Sequence, residues 1–359
     1  MEQYRQLVSH QSVTIPRRAW CLILAAVMAL GLVTAAFGVE EAMTDDNRQA
    51  RWSAWLPYWQ METGMAEALR LGQRLDTLSL FAAYFDADGE LFIPEETRKG
   101  FETLRETDAK ERPRLMLTLV NDSLTAEGAP ILKDRDLLYK LLETPESRQA
   151  HAQQILDMAR SVQADGIELD YENLGSDREL WANYAALIEL MQDLITGEGL
   201  ELSVVLEPSA LDKTAFPEGP QYVVMLYNLY GNHSGPGPKA DMDFISRRAA
   251  LALKNLPGEV AAAFSAGGFS WQDGQTLPLT QKEAESLRER LDVKARRDEN
   301  SAAMTFSGVL DGVHHEVWYA DDQTLPAWAL AAREAGIRHF YLWSLGVNEQ
   351  ATLDMMSGE

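Results

Sequence analysis

The sequence predicts an α/β protein built as a single (β/α)₈ barrel, and three observations carry that prediction. Eight short apolar runs recur between residues 53 and 350, amphipathic helical segments separate them, and no glycine-rich phosphate loop follows any run. The last point sets aside the other common arrangement, a doubly wound parallel sheet, which binds phosphates at such loops.

The runs are Ala54–Tyr58, Leu78–Phe85, Leu115–Val120, Gly166–Glu172, Leu202–Leu206, Tyr222–Tyr227, Val260–Phe264 and Arg338–Trp343. Each is short, mostly apolar and bounded by polar or turn residues, so each reads as a strand. The clearest helix between them runs from Asp177 to Ile195, with Leu180, Trp181, Tyr184, Leu187, Ile188, Met191, Leu194 and Ile195 at spacings of three and four. Ser176-x-x-Glu179 predicts a capping box at its start, and Gly197 and Gly199 end it. Only Trp271 to Asp321 breaks the rhythm. There a helical Gln281–Leu291 precedes Met304–Gly312 and His315–Tyr319, a small hairpin-containing insertion before the last strand.

With 359 residues, 46% of them hydrophobic, the chain can bury a full barrel core. Its formal charge of -23 disfavours nucleic acid or anionic lipid as the main partner. The six histidines have no metal-ligand spacing, and the one cysteine, Cys21, lies ahead of the folded part, so neither a metal nor another cofactor is expected.

Arg17 and Arg18 precede an apolar run from Ala19 to Val39 that ends in small residues before Glu40. That is an export segment. Residues 1–39 are either a cleaved signal peptide or a retained membrane anchor, the run's length lying between the two. A spacer at 40–52, the barrel at 53–350 and a tail at 351–359 complete the organisation, with a periplasmic, cell-envelope or secreted location.

The chemistry points to Ala164–Asn173, where apolar and acidic residues alternate. On a strand, Ile167, Leu169 and Tyr171 fall on one face and Glu168, Asp170 and Glu172 on the other. An acidic face meeting water would be unremarkable. In a barrel, however, strand faces look into the interior or at the helices, so carboxylates roughly 6.5 to 7 Å apart must titrate as a coupled set. Glu172, followed by Asn173-Leu174-Gly175, would then stand at the barrel mouth.

Asp165-Gly166-Ile167-Glu168-Leu169-Asp170-Tyr171-Glu172 resembles the D-G-x-D-x-D-x-E signature of chitinase-like family 18 glycoside hydrolases. Ser53–Trp59, Leu80–Tyr84 with Asp88–Leu91, Met225-Leu226-Tyr227-Asn228 and Tyr341–Gly346 are similar, in order, to that family's first, second, sixth and last strands. Asn232–Pro238 and His315–Asp322 resemble its spore-cortex and peptidoglycan-directed subgroup.

The resemblance implies cleavage of β-linked N-acetylglucosamine glycans, peptidoglycan or chitin-like, by a retaining mechanism in which the substrate's acetamide oxygen replaces an enzyme nucleophile. It implies that Glu172 is the general acid and base, that Asp170 orients the acetamide and that Glu168 couples to Asp170. It gives Tyr227 a bond to the acetamide oxygen and Trp343 the floor beneath the sugar. Asp165 and Gly166 shape the turn into the strand; Asn228, Tyr58, Phe81 and Asn121 line the site, and Trp318 and Asp322 could cover it. A monomer is expected, with a membrane contact only through the leading segment.

Two residues depart from the family pattern. Glu168 stands for an aspartate, moving that carboxylate by roughly 1.5 Å. Asn228 also stands for an aspartate, and losing that charge predicts a lower pH optimum. The alternatives are a glycan-binding, lectin-like barrel with little or no activity and, if the leading segment is retained, an envelope scaffold.

Overall fold

The computed structural model describes residues 50–358. The leading segment at 1–39 that is expected to direct export, its Cys21 and most of the 40–52 spacer lie outside the described residues, among which no helix is long and apolar enough to cross a membrane.

Eight parallel strands close into a barrel: β1 (Arg51–Pro57), β2 (Leu75–Phe85), β3 (Arg114–Leu124), β4 (Gly166–Asp170), β5 (Glu201–Leu206), β6 (Gln221–Met225), β7 (Val260–Ser265) and β8 (His339–Trp343). Each pairs with the next, and β8 pairs with β1 through Arg51 opposite His339 and Ala54 opposite Leu342. All eight overlap the runs predicted from sequence, although Tyr58, Tyr171, Glu172, Leu226, Tyr227 and Arg338 fall just outside the strand ends. The helices are α1 (Met61–Leu71), α2 (Glu95–Arg105), α3 (Arg135–Leu142), α4 (Pro145–Ser161), α5 (Arg178–Ile195), α6 (Met242–Asn255), α7 (Gln281–Leu291), α8 (Thr324–Glu334) and α9 (Gln350–Ser357).

Alternation along the strands divides the core in two. Ile167, Leu169 and Tyr171 of the β4 segment join the layer between strands and helices, where Tyr171 Oη lies 2.7 Å from His151 Nε2 on α4. Trp55, Phe81, Val120, Val223, Met225, Tyr227 and Tyr341 fill the barrel interior. At the amino-terminal end of the strands, a cavity of about 350 Å³ is lined by Arg51, Arg114, Gln192, Glu201, Gln221 and Glu259. It lies at the end opposite the acidic stripe.

Four details differ from the sequence prediction. No helix forms between β5 and β6, where residues 207–220 pass in turns. Helix α5 is capped by Asp177, whose carboxylate accepts from the Glu179 and Leu180 amides, so the Ser176 capping box does not form. An aspartate one residue on reaches the same free amides. In place of the expected tail at 351–359, the described residues through Ser357 are helical: α9 buries Thr352, Leu353 and Met356, and Asp354 meets Arg70 of α1. The segment before β8 is larger than a hairpin: a five-stranded antiparallel sheet from residues 267–272, 275–279, 296–297, 304–310 and 313–320 packs on α7.

Candidate active site

The stripe lies inside the barrel. Glu168 and Asp170 are buried, and Glu172, just past the end of β4, keeps 17% of its side chain exposed. Entry to β4 is tightly set. Asp165 accepts from Arg112 at 2.5 Å and from the Leu115 amide at 2.9 Å, tying the start of β4 to β3. Burial alone would raise this carboxyl, but Arg112, the Leu115 amide and Arg105 outweigh it and hold it below its ordinary value. At Gly166 a side chain is excluded, because a Cβ would stand 2.4 Å from Met116 Sδ and 2.7 Å from the Glu201 carbonyl oxygen.

The three carboxyls sit in different surroundings. Glu168 Oε1 accepts from Trp55 Nε1 at 2.6 Å and Thr118 Oγ1 at 2.8 Å, so the longer side chain is spent reaching β1 and β3. Burial pushes its carboxyl up. Asp170 is raised well above its ordinary value by burial and then by the charges of Glu172 and Glu168, while its Oδ1 has no partner. Glu172 is pushed up to about 7, chiefly by burial. Two neighbours pull it in opposite directions. Lys133 lowers it and Glu207, one residue past β5, raises it.

The backbone of Glu172 is fixed beyond the last ladder pair, Val120 with Asp170. Asn121 continues the pairing with its side chain: Glu172 N donates to Oδ1 at 2.9 Å, and Nδ2 donates to the Glu172 carbonyl at 3.1 Å. Asn121 is thus a buried brace for the acid, where the sequence had suggested a lining residue. Lys133 arrives because the chain after β3 turns back, Pro130–Ile131 pairing with Ser123–Leu124. Asp122 Oδ1 accepts from its amide at 2.7 Å, and Asn173 Nδ2 donates to its carbonyl at 3.0 Å. Its ammonium donates to Glu172 Oε2 at 2.6 Å.

Tyr227 is buried across the barrel. Burial, then the charges of Asp170, Glu172 and Glu168, push its phenol well up, keeping the hydroxyl a donor. Trp343 lies edge-on to Phe81, with ring centroids 4.9 Å apart, and 5.9 Å from Trp55. Tyr58 packs edge-on to Tyr84 at 5.8 Å. The peptide bonds Phe81–Ala82 and Trp343–Ser344 are both cis. Together these side chains make an aromatic floor beside a proton-bearing carboxyl set.

The family now follows from comparison. The model of the glycosyl hydrolases family 18 matches residues 56–346. The chain belongs to that family. A curated relative, the cortical fragment-lytic enzyme of Bacillus cereus, is 24% identical over 296 residues, 76% of this chain; the chain spans 65% of that relative's length. Among solved structures, the spore cortex-lytic enzyme SleL of Bacillus cereus superposes with a TM-score of 0.72 at 19% identity, over 86% of this chain and 74% of its own. A chitinase from Chromobacterium violaceum gives 0.71 at 17% identity, over 86% and 98%. At these identities the structural likenesses establish the shared barrel fold.

Within this family 18 barrel, Glu168, Asp170, Glu172, Tyr227, Phe81 and Trp343 converge. Three other sequence expectations do not join them. Asn228 is exposed, with φ at 64°, and Glu207 supplies a negative charge beside Glu172 where Asn228 lacks one. Trp318 donates to Glu316 two residues away in the inserted sheet, and Asp322 adjoins the Arg297–Asp321 pair. Sequence reasoning missed Lys133, Glu207 and the exposed Trp59, whose ring lies 5.9 Å from Phe81. Glu207 carried a legible signal, being a carboxylate directly after a barrel strand. Lys133 carried none.

Proposed function

We propose that the protein is an exported glycoside hydrolase that cleaves β-linked N-acetylglucosamine glycans, with peptidoglycan the favoured substrate class. Glu172 protonates the leaving oxygen and then activates water, while the substrate's acetamide oxygen attacks the anomeric carbon. Asp170 accepts from the acetamide N–H, Tyr227 donates to the acetamide oxygen and Trp343 carries the sugar face. The observation that carries this reading is a carboxyl raised to about 7 at the barrel mouth, with Asp170 two residues below it on the same interior face. The names of the cortical fragment-lytic and spore cortex-lytic relatives support peptidoglycan over chitin.

Mass spectrometry of products tests it, using the protein and its Glu172→Gln variant on purified peptidoglycan and on chitin oligosaccharides. New reducing-end N-acetylglucosamine from the unaltered protein alone supports the assignment. Equal release by both proteins would place the acid elsewhere, and binding without release by either would favour the lectin-like barrel. The mass of the mature protein reports whether residues 1–39 are removed.

A further inference from the structure

We propose that Lys133 selects a muramic acid on the leaving-group side of the scissile bond, binding its 3-O-lactyl carbonyl oxygens and releasing Glu172 as it does so. This rests on the hydrolase reading above.

The geometry makes the case. Lys133 is held by its backbone, through Asp122 and Asn173, while its side chain remains 46% exposed. An ammonium offers three donors on a flexible stem. One goes to Glu172 at 2.6 Å. The anions facing it come from three strand ends: Asp122 near the end of β3, Asp170 and Glu172 of the β4 segment, and Glu207 just past β5.

Such a pair opposes general acid catalysis. A cation in contact with Glu172 favours the carboxylate, whereas protonating a leaving oxygen requires the acid form. The pair must therefore open before the bond breaks, and the substrate can open it. The oxygen that Glu172 protonates is borne on C4 of the departing sugar. In chitin the adjacent C3 carries a neutral hydroxyl. In muramic acid C3 carries a lactyl ether whose carbonyl group, as carboxylate or peptide amide, stands beside that oxygen. It thus falls within reach of a lysine already touching the acid.

With a free lactyl carboxylate the charges balance. Glu172 takes up one proton from the buffered solvent as Lys133 turns to the lactyl group, so the ammonium exchanges one carboxylate partner for another and the site gains that one proton. A chitin sugar offers no such exchange.

The test compares kcat/KM on peptidoglycan fragments and on chitin oligosaccharides for the unaltered protein, Lys133→Ala and Lys133→Arg. The proposal expects Lys133→Ala to lose at least about tenfold more on peptidoglycan than on chitin, the scale of one charge-assisted hydrogen bond. Lys133→Arg should recover part of that selectivity. The basic limb of the chitin pH profile should also move upward in Lys133→Ala, since the cation that lowers Glu172 is gone. Equal losses on both glycans with an unmoved limb would overturn the proposal and make Lys133 a structural residue. If the unaltered protein cleaves neither glycan, the hydrolase reading fails and this inference with it.

Discussion

Lys133 Nζ and Glu172 Oε2 lie 2.6 Å apart although the residues are 39 positions apart in the chain. The pair brings the loop after β3 onto the residue that follows β4. It sets the ionisation of the candidate acid against two opposing influences, burial and Glu207.

Replacing Glu172 with glutamine keeps the shape and removes the proton. Turnover of a susceptible glycan should fall on the order of 10³-fold, the usual scale of a positioned general acid. Initial rates of reducing-end release check it, and a loss under tenfold would remove Glu172 from the role.

The pH profile should fall on its basic side near 7, where Glu172 loses its proton. Glu207 raises that value, so Glu207→Gln should shift the basic limb to lower pH. An unmoved limb in kcat/KM profiles would show that Glu207 does not act on the acid.

Trp343→Ala should weaken glycan binding about tenfold through lost ring contact. Calorimetry in the Glu172→Gln background separates binding from cleavage. Unchanged affinity would mean that Trp343 serves barrel packing with Phe81 instead.

Gly166→Ala drives a methyl group into Met116 and the Glu201 carbonyl, where backbone cannot yield cheaply. Destabilisation of about 1–3 kcal/mol is expected from such overpacking. Urea unfolding measures it, and wild-type stability would mean that β3 and β5 relax without cost.

His151 is buried and bonded to Tyr171, and burial lowers its imidazole to about 4. Between pH 4 and 6.5 the unfolded chain binds a proton that the folded one refuses, so stability is complete above 6.5 and drains away as pH falls. The loss from this residue is about 3 kcal/mol by pH 4. His151→Gln should flatten that part of the curve, and parallel curves for both proteins would refute the assignment.

The barrel and the acidic face could be read from the chain without its structure. Eight apolar runs are local signals, and a period of two sends Glu168, Asp170 and Glu172 to one side however the rest of the chain folds. The turn residues Asp165 and Gly166 were legible for the same reason. Tertiary structure alone decided the partners. Asn121 became a brace because β3 ends beside Glu172, and Lys133 reached the acid because its loop turns back after Leu124. The missing helix between β5 and β6 and the packing of α9 were likewise hidden. Local pattern fixes which way a side chain points from its own strand. What it meets depends on how distant loops return, and no short stretch of sequence encodes that path.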